Sequence, residues 1–320
     1  MLNDKVFSVS WILGRFCNYK CSYCWPYANS QTPDYQSLAL YKQTIDTIKH
    51  QARQNGFNRF HWSFSGGEPT AYKNLPELIK HLEDSVTPYQ SIHMTTNLSP
   101  SKKWWSKWGE ATELLQRRSI TASYHSEFAD EKEFTDKCLH LMGENVYVTI
   151  NQVMVPELFH ELYDRCQRFA DKGINVTLKP QSNESASAIV DGYTPEMITI
   201  MQNGFPQHVN EKELYQISLY DNNDREYLFD QAERFNAFGF NKFTNWTCNS
   251  GYQSVIIRSN EVKRGYSCRD FRLGTLSDGF SLFGNPLKCI TDSCVSSADS
   301  KIPKRISNVE MATEKISKTS

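Results

Sequence analysis

The sequence predicts an α/β protein built on a parallel sheet, and three observations carry that expectation. Short β-rich runs alternate with helical stretches up to about residue 181, each gap is long enough for a crossover helix, and polar residues gather where the runs end. Six such units in series imply parallel strands joined by right-handed crossovers. A sheet of this kind stays open and doubly wound or curls toward a barrel, and periodicity alone does not choose. In both cases the chemistry belongs at the C-terminal ends of the strands.

The strand runs are 6–14 (VFSVSWILG), 59–65 (RFHWSFS), 91–96 (SIHMTT), 119–124 (SITASY), 146–153 (VYVTINQV) and 174–179 (INVTLK). Helical character falls between them near 37–55, 74–85, 101–117, 130–143 and 157–172. From about residue 182 the pattern changes to a Ser- and Asn-bearing connector, QSNESASAIVDG, and then a helix starting where Thr194 caps and Pro195 occupies the first turn. Residues 205–247 give no assignment. After them, CNSGYQSVIIRSNEVKRGYSC reads as a β-hairpin turning at Ser259-Asn260, bracketed by Cys248 and Cys268. The chain thus divides into a core over 1–190, a connecting region over 191–247, an auxiliary region over 248–297, and a polar tail over 298–320 expected to be mobile.

Composition narrows the function classes. With 35 basic and 36 acidic side chains the net charge is -1, which gives no electrostatic reason for nucleic-acid binding. Hydrophobic residues at 39% and aromatics at 13% are enough for a folded core. No apolar run reaches the roughly 18–20 residues of a membrane span, and the N-terminal residues lack the features of a secretory signal. No membrane partner and a cytoplasmic location are therefore expected. There the nine cysteines stay reduced and read as metal ligands or core residues.

Three of them stand in RFCNYKCSYCW, where Cys17, Cys21 and Cys24 are spaced C-x3-C-x2-C directly after the first strand. Three thiolates on one loop ligate three corners of a [4Fe-4S] cluster and leave one iron open; a zinc site completed by a distant residue is the alternative on spacing alone. The second strand runs into SFSGGEPT, whose Gly66 and Gly67 allow backbone to approach a ligand and whose Glu68 brings a charge. Asn97, Ser123, Tyr124 and His125 close the third and fourth strands, and Lys179 and Gln181 close the sixth. Cys138 and Cys166 read as core residues, and Trp104 with Trp108 as one packed helix face.

CNYKCSYC followed by SGGEPT resembles the radical S-adenosylmethionine (SAM) enzymes, over roughly residues 6 to 181. The resemblance implies a partial (β/α)6, TIM-like barrel. It implies that Cys17, Cys21 and Cys24 hold the cluster, whose open iron takes the amino and carboxylate groups of SAM. Tyr23 would lie beside adenine, and Gly66, Gly67 and Glu68 would bind the methionine amino group through backbone carbonyl and carboxylate. Asn97 and Ser123 match positions that hydrogen-bond the ribose or carboxylate. Reductive cleavage of SAM to a 5'-deoxyadenosyl radical, fed by a low-potential electron donor such as flavodoxin or ferredoxin, would then remove hydrogen from a substrate. His125 and Lys179 are the candidate catalytic side chains.

The C-terminal thiols Cys248, Cys268, Cys289 and Cys294 suffice to close a second [4Fe-4S] cluster. Their order is similar to the twitch domain, the shortened SPASM extension of some radical SAM enzymes; a structural zinc is the alternative. A start of the barrel near residue 6 favours a small-molecule substrate (a sugar, aminocyclitol or nucleotide) with an oxidation as the outcome. The alternatives are maturation of a ribosomal peptide or protein and, in a different class, a non-catalytic iron–sulfur or zinc scaffold.

Overall fold

The computed structural model describes residues 6–25, 29–184, 188–206, 217–221, 223, 225–229, 241–268 and 271–306. Six parallel strands appear where the β-rich runs fall: β1 (Val6–Ile12), β2 (Arg59–Ser65), β3 (Tyr89–Thr96), β4 (Arg117–Tyr124), β5 (Tyr147–Met154) and β6 (Asn175–Pro180), hydrogen-bonded in the order β1-β2-β3-β4-β5-β6. Helices α1 (Leu38–Gln54), α2 (Leu75–Lys80), α3 (Lys102–Ala111), α4 (Glu131–Gly143) and α5 (Phe159–Ala170) form the crossovers. This is the partial TIM-like barrel, and its sheet does not close on itself.

Caps fix the helix starts. Ser37 accepts from the Leu40 N–H, Ser101 from Trp104 and Asp130 from Glu133, each satisfying a donor that the first turn leaves open. Thr194 does the same for Met197 at the start of α6 (Pro195–Asn203). Helix α3 stops at Ala111, short of the expected end. The Thr112 hydroxyl turns back onto the Trp108 and Gly109 carbonyls, a local bond that competes with further helix. Its buried tryptophans are Trp105 and Trp108, while Trp104 stands edge-on to Trp105 at 4.8 Å, so the packed face is set by i,i+3 rather than by the Trp104–Trp108 pair.

The core lies between the sheet and its helices. Phe7, Val9 and Trp11, then Phe60, Trp62 and Phe64, then Ile92 and Met94 all point outward into one apolar cluster with Ile45, Leu78 and Cys138. Cys166 is buried there too, as expected. The other face of the same strands is mainly polar, with Val6, Ile12 and Val153 as apolar exceptions: Ser8 and Ser10, His61, Ser63 and Ser65, Ser91, His93 and Thr95, Ser119, Thr121 and Ser123, Thr149 and Asn151, Thr177 and Lys179. A parallel sheet buried on both faces reads apolar throughout, and closed barrels fill their interior with branched aliphatic side chains. This concave face is a polar recess instead.

The hairpin forms at the expected turn from β10 (Ser254–Arg258) and β11 (Glu261–Lys263), with Ser259 at φ +53°. It does not stand apart from the barrel. β10 pairs in parallel with β1, Ser8 opposite Ser254, and β12 (Arg272–Thr275) and β13 (Gly279–Phe280) extend the sheet to ten strands. A second sheet runs β14-β9-β15-β7-β8, from β7 (Ile217–Tyr220), β8 (Glu226–Phe229), β9 (Thr247–Cys248), β14 (Leu287–Lys288) and β15 (Lys304–Arg305).

The start of the polar tail is packed rather than mobile. Ile302, Pro303 and Ile306 are buried, and Lys304 is 1% exposed with its ammonium on the carbonyls of Asp299, Ser300 and Ile302. Residues 307–320 of that tail lie outside the described residues. No helix among the described residues is long and apolar enough to cross a membrane.

Candidate functional site

The cysteine loop begins where β1 ends and is held by the loop that follows β2. Leu13 N–H donates to Ser65 O, Gly67 N–H to Gly14 O at 2.9 Å, and Glu68 N–H to Phe16 O at 2.8 Å, which continues the β1–β2 ladder past both strands. Gly66 sits at φ +134°, and a Cβ there would overlap the Gly14 carbonyl; a Cβ at Gly67 would overlap the carbonyls of Arg15 and Phe16. The two glycines therefore let backbone approach the cysteine loop itself, where the sequence reading has them approaching a ligand. Asp34 completes the anchor by accepting from the Arg15 N–H.

Glu68 departs from expectation as well. The sequence reading offers its carboxylate to an incoming ammonium, yet the side chain is 1% exposed and turned inward. Its Oε1 accepts from the Thr70 N–H and from the hydroxyls of Thr70 and Thr96, and its Oε2 from the Asn97 N–H at 2.6 Å. Burial raises its pKa against those four donors. Donors to both oxygens are what a carboxylate accepts, so Glu68 ties the end of β2 to the end of β3. What this stretch presents at the rim is backbone.

Asn97 is buried between these anchors and the first cysteine. Its amide donates to Asn18 Oδ1 at 2.9 Å and lies 3.9 Å from Cys17 Sγ, which also faces the Tyr19 N–H at 3.4 Å. The far half of the loop is held from β4. Glu127 accepts from both the N–H and hydroxyl of Ser22, and the Tyr23 hydroxyl meets His125 Nδ1 at 2.8 Å. Tyr19 stacks on Phe128 at 4.9 Å and stands edge-on to His125. His125 is thus committed to Tyr23, with its pKa lowered to about 4 by burial, and it serves as a loop anchor rather than as an unengaged proton donor. Ser123 lies on the inner face opposite Asn151, and Lys179 on the same face opposite Val153.

The thiol chemistry fits a cationic group. All nine cysteines are free, and Cys17, Cys21 and Cys24 are the ones open to solvent. Burial, then the Glu127 charge, then Cys24 and Cys17 push the Cys21 thiol up to about 12. Thiols that oppose one another's ionisation become thiolates together only against positive charge. Among the described residues no three Cys, His, Asp or Glu side chains converge on a single ion position.

The four C-terminal thiols are buried. Cys268 and Cys294 each feel the Cys248 charge, and Cys248, Cys289 and Cys294 share one apolar cluster with Phe243 and Trp246. Two cations flank them. Arg264 is 2% exposed and donates to the carbonyls of Ser250 and Leu287, and Lys304 lies 4.7 Å from the Phe243 ring.

Sequence reading missed Glu127, Asn18 and the polar recess. The recess had a signal: serines, threonines and histidines alternate with apolar residues through the middle of β1 to β4 (Ser8, Ser10, His61, Ser63, Ser91, His93, Ser119, Thr121), out of keeping with a sheet covered on both faces.

The comparisons agree with this geometry. The fold is similar to the solved structure described as "Native anSMEcpe with bound AdoMet" (15% identity, TM-score 0.54, covering 86% of this chain and 79% of that one). A histidine-tagged form of anSMEcpe with bound AdoMet gives 17% identity and a TM-score of 0.51, covering 86% and 76%. A third, "Native anSMEcpe with bound AdoMet and Cp18Cys peptide", gives 16% identity and a TM-score of 0.51 over 86% and 78%. None of the curated proteins compared matches the chain. The family model of the Radical SAM superfamily matches residues 11–178, over half the chain, from the end of β1 into β6 and including the cysteine loop and the glycine pair that grips it. By that match this chain belongs to the radical SAM superfamily.

Proposed function

We propose that this chain is a radical SAM enzyme acting on a polar small molecule held in the concave face of its sheet. The observation that carries the substrate class is the inner surface itself: hydroxyls, imidazoles and amides where a closed barrel would place aliphatic side chains. Cys17, Cys21 and Cys24 would hold the [4Fe-4S] cluster. When bound, cluster and SAM supply a 5'-deoxyadenosyl radical that takes a hydrogen atom from the substrate. Tyr23, fixed by His125, would flank adenine; the backbone at Gly66, Gly67 and Glu68 would meet the methionine amino group; Asn97 and Ser123 would bind ribose or carboxylate.

Lys179, on the inner face at the end of β6, is the candidate for handling a substrate proton. Cys248, Cys268, Cys289 and Cys294 would close an auxiliary [4Fe-4S] cluster as in a twitch domain, placing an electron acceptor on the substrate side for an oxidation. A low-potential donor such as flavodoxin or ferredoxin in the cytoplasm would reduce the first cluster.

Anaerobic reconstitution tests this reading. Full-length protein is expected to hold about eight irons with matching sulfide, and Cys248→Ser about four. Dithionite and SAM should yield 5'-deoxyadenosine with the wild type and none with Cys21→Ser. Zinc in place of iron and no SAM cleavage by the wild type would leave the scaffold reading standing.

A further inference from the structure

The lower end of the inner face is closed over by the C-terminal part of the chain. Across β1 to β3 the register sets Ser8 beside His61 and Ser91, and Ser10 beside Ser63 and His93. Between these side chains, β10 and residues 298–303 lies a cavity of about 130 Å³, whose lining includes Ser8, Ser10, His61, Ser63, His93 and Lys301. That volume is well above the roughly 10–15 Å³ that admits one water.

The charged groups that line this cavity are already engaged. Arg264 donates to the Ser250 and Leu287 carbonyls, Lys301 has a partner of its own, and Asp299 accepts from the Ser267 N–H. Gln253 is committed at both ends, its Nε2 to the Val6 carbonyl and its Oε1 to the Asn249 amide. Burial first, and then Lys301 and Arg117, lowers the pKa of His61 to about 4. Burial and then His61 take that of His93 to about 3, so both imidazoles are neutral. The groups left over carry no charge. Among the described residues the hydroxyls of Ser8, Ser10 and Ser63 have no hydrogen-bond partner, and His61, joined to Ser91 through Nδ1 at 2.8 Å, has none at Nε2.

A serine hydroxyl both donates and accepts, and Nε2 of a neutral imidazole does one or the other by tautomer. An apolar occupant would leave all four groups unsatisfied, and a charged one would meet no free counter-charge. A neutral occupant bearing hydroxyls answers donors and acceptors alike. Resting on the reading that the inner face holds the substrate, we infer that this lower cavity recognises a neutral, polyhydroxylated part of that molecule, as in a sugar or other polyol, through Ser8, Ser10, Ser63 and His61. Ser8 lies roughly 13 Å below the end of β1 at about 3.3 Å per residue. The group held here is therefore remote from the reacting carbon, which lies further up the recess toward the cysteine loop.

The test is a ligand-observed NMR titration of full-length, anaerobically reconstituted protein with glycerol, ribose, glucose and myo-inositol, and with glucose 6-phosphate and glucosamine as charged counterparts. Saturable binding of at least one neutral polyol to the wild type is expected, with neither charged sugar binding more tightly than the best neutral one. Ser63→Leu, which fills the cavity, should abolish that binding. Ser63→Ala should weaken it roughly two- to tenfold, the factor for one neutral hydrogen bond. Should Ser63→Leu fail to fold, Ser10→Ala is read beside Ser63→Ala. No saturable binding of any neutral polyol, tighter binding of a charged sugar, or unchanged binding in the serine variants overturns the inference. Because no SAM is present, that failure is separate from a failure of wild-type SAM cleavage, which would overturn the proposed function instead.

Discussion

The Tyr23 hydroxyl and His125 Nδ1 lie 2.8 Å apart, and their rings stack with centroids 5.8 Å apart. This contact joins the second half of the cysteine loop to the end of β4. The bond is made to a neutral imidazole, so its form depends on the proton state of His125.

A pH dependence follows. The folded-state pKa of His125 is lowered from 6.5 to about 4, as is that of His61, and that of His93 falls to about 3. The unfolded chain therefore binds protons that the folded chain refuses once the pH drops below about 6.5, and stability falls from there toward pH 4. Thermal unfolding midpoints should be flat with respect to these groups above pH 7 and decline through that window. His125→Asn, which keeps an acceptor near Nδ1, should give a shallower decline; an unchanged slope would refute the assignment to His125.

Gly67→Ala should disturb the cysteine loop before it disturbs the barrel. The added methyl overlaps the carbonyls of Arg15 and Phe16, immediately before Cys17. Overpacking of this kind costs roughly 1–3 kcal/mol. Far-UV circular dichroism should remain close to wild type while iron retained at the N-terminal site after reconstitution drops severalfold. Full iron content in this variant would contradict the anchoring role.

Glu68→Gln should destabilise although it keeps the side chain's shape. An amide nitrogen replaces one acceptor oxygen and faces either the Asn97 N–H or the donors of Thr70 and Thr96. Leaving a buried donor unsatisfied costs about 1–3 kcal/mol, visible as a lower denaturant midpoint at unchanged slope. A role confined to ligand binding would leave that midpoint where it was.

Lys304→Met should loosen the second sheet. The ammonium satisfies three carbonyls near the last of the described residues, and β15 bridges β7 and β9 through that residue. A loss of at least about 2 kcal/mol is expected from the stranded carbonyls. Hydrogen exchange should speed up in β9 and β15 while β2 to β5 keep wild-type protection.

Much of the barrel was legible in the sequence because its signals are local. Strand runs alternate between apolar and polar residues, and Ser37, Ser101, Asp130 and Thr194 mark helix starts through side-chain caps within three residues. The cysteine loop was legible because its ligands are neighbours in the chain. The inward turn of Glu68 was not, since it depends on Thr96 and Asn97, nearly thirty positions away. Nor was the insertion of β10 beside β1, which pairs Ser8 with Ser254 and obeys no periodicity. Ile302 and Lys304 looked like tail residues because a lysine that snorkels onto carbonyls and one that meets solvent are written alike.

The late arrival of β10 has a consequence for biogenesis. During synthesis all six barrel strands exist before residues 254–258 are made, so for that interval β1 carries a bare row of amides and carbonyls on one side. An exposed edge of this sort templates pairing with other chains, and closing a loop of such length is slow. Chains interrupted before β10 should therefore accumulate as aggregates, whereas ones that reach the hairpin seal their own edge.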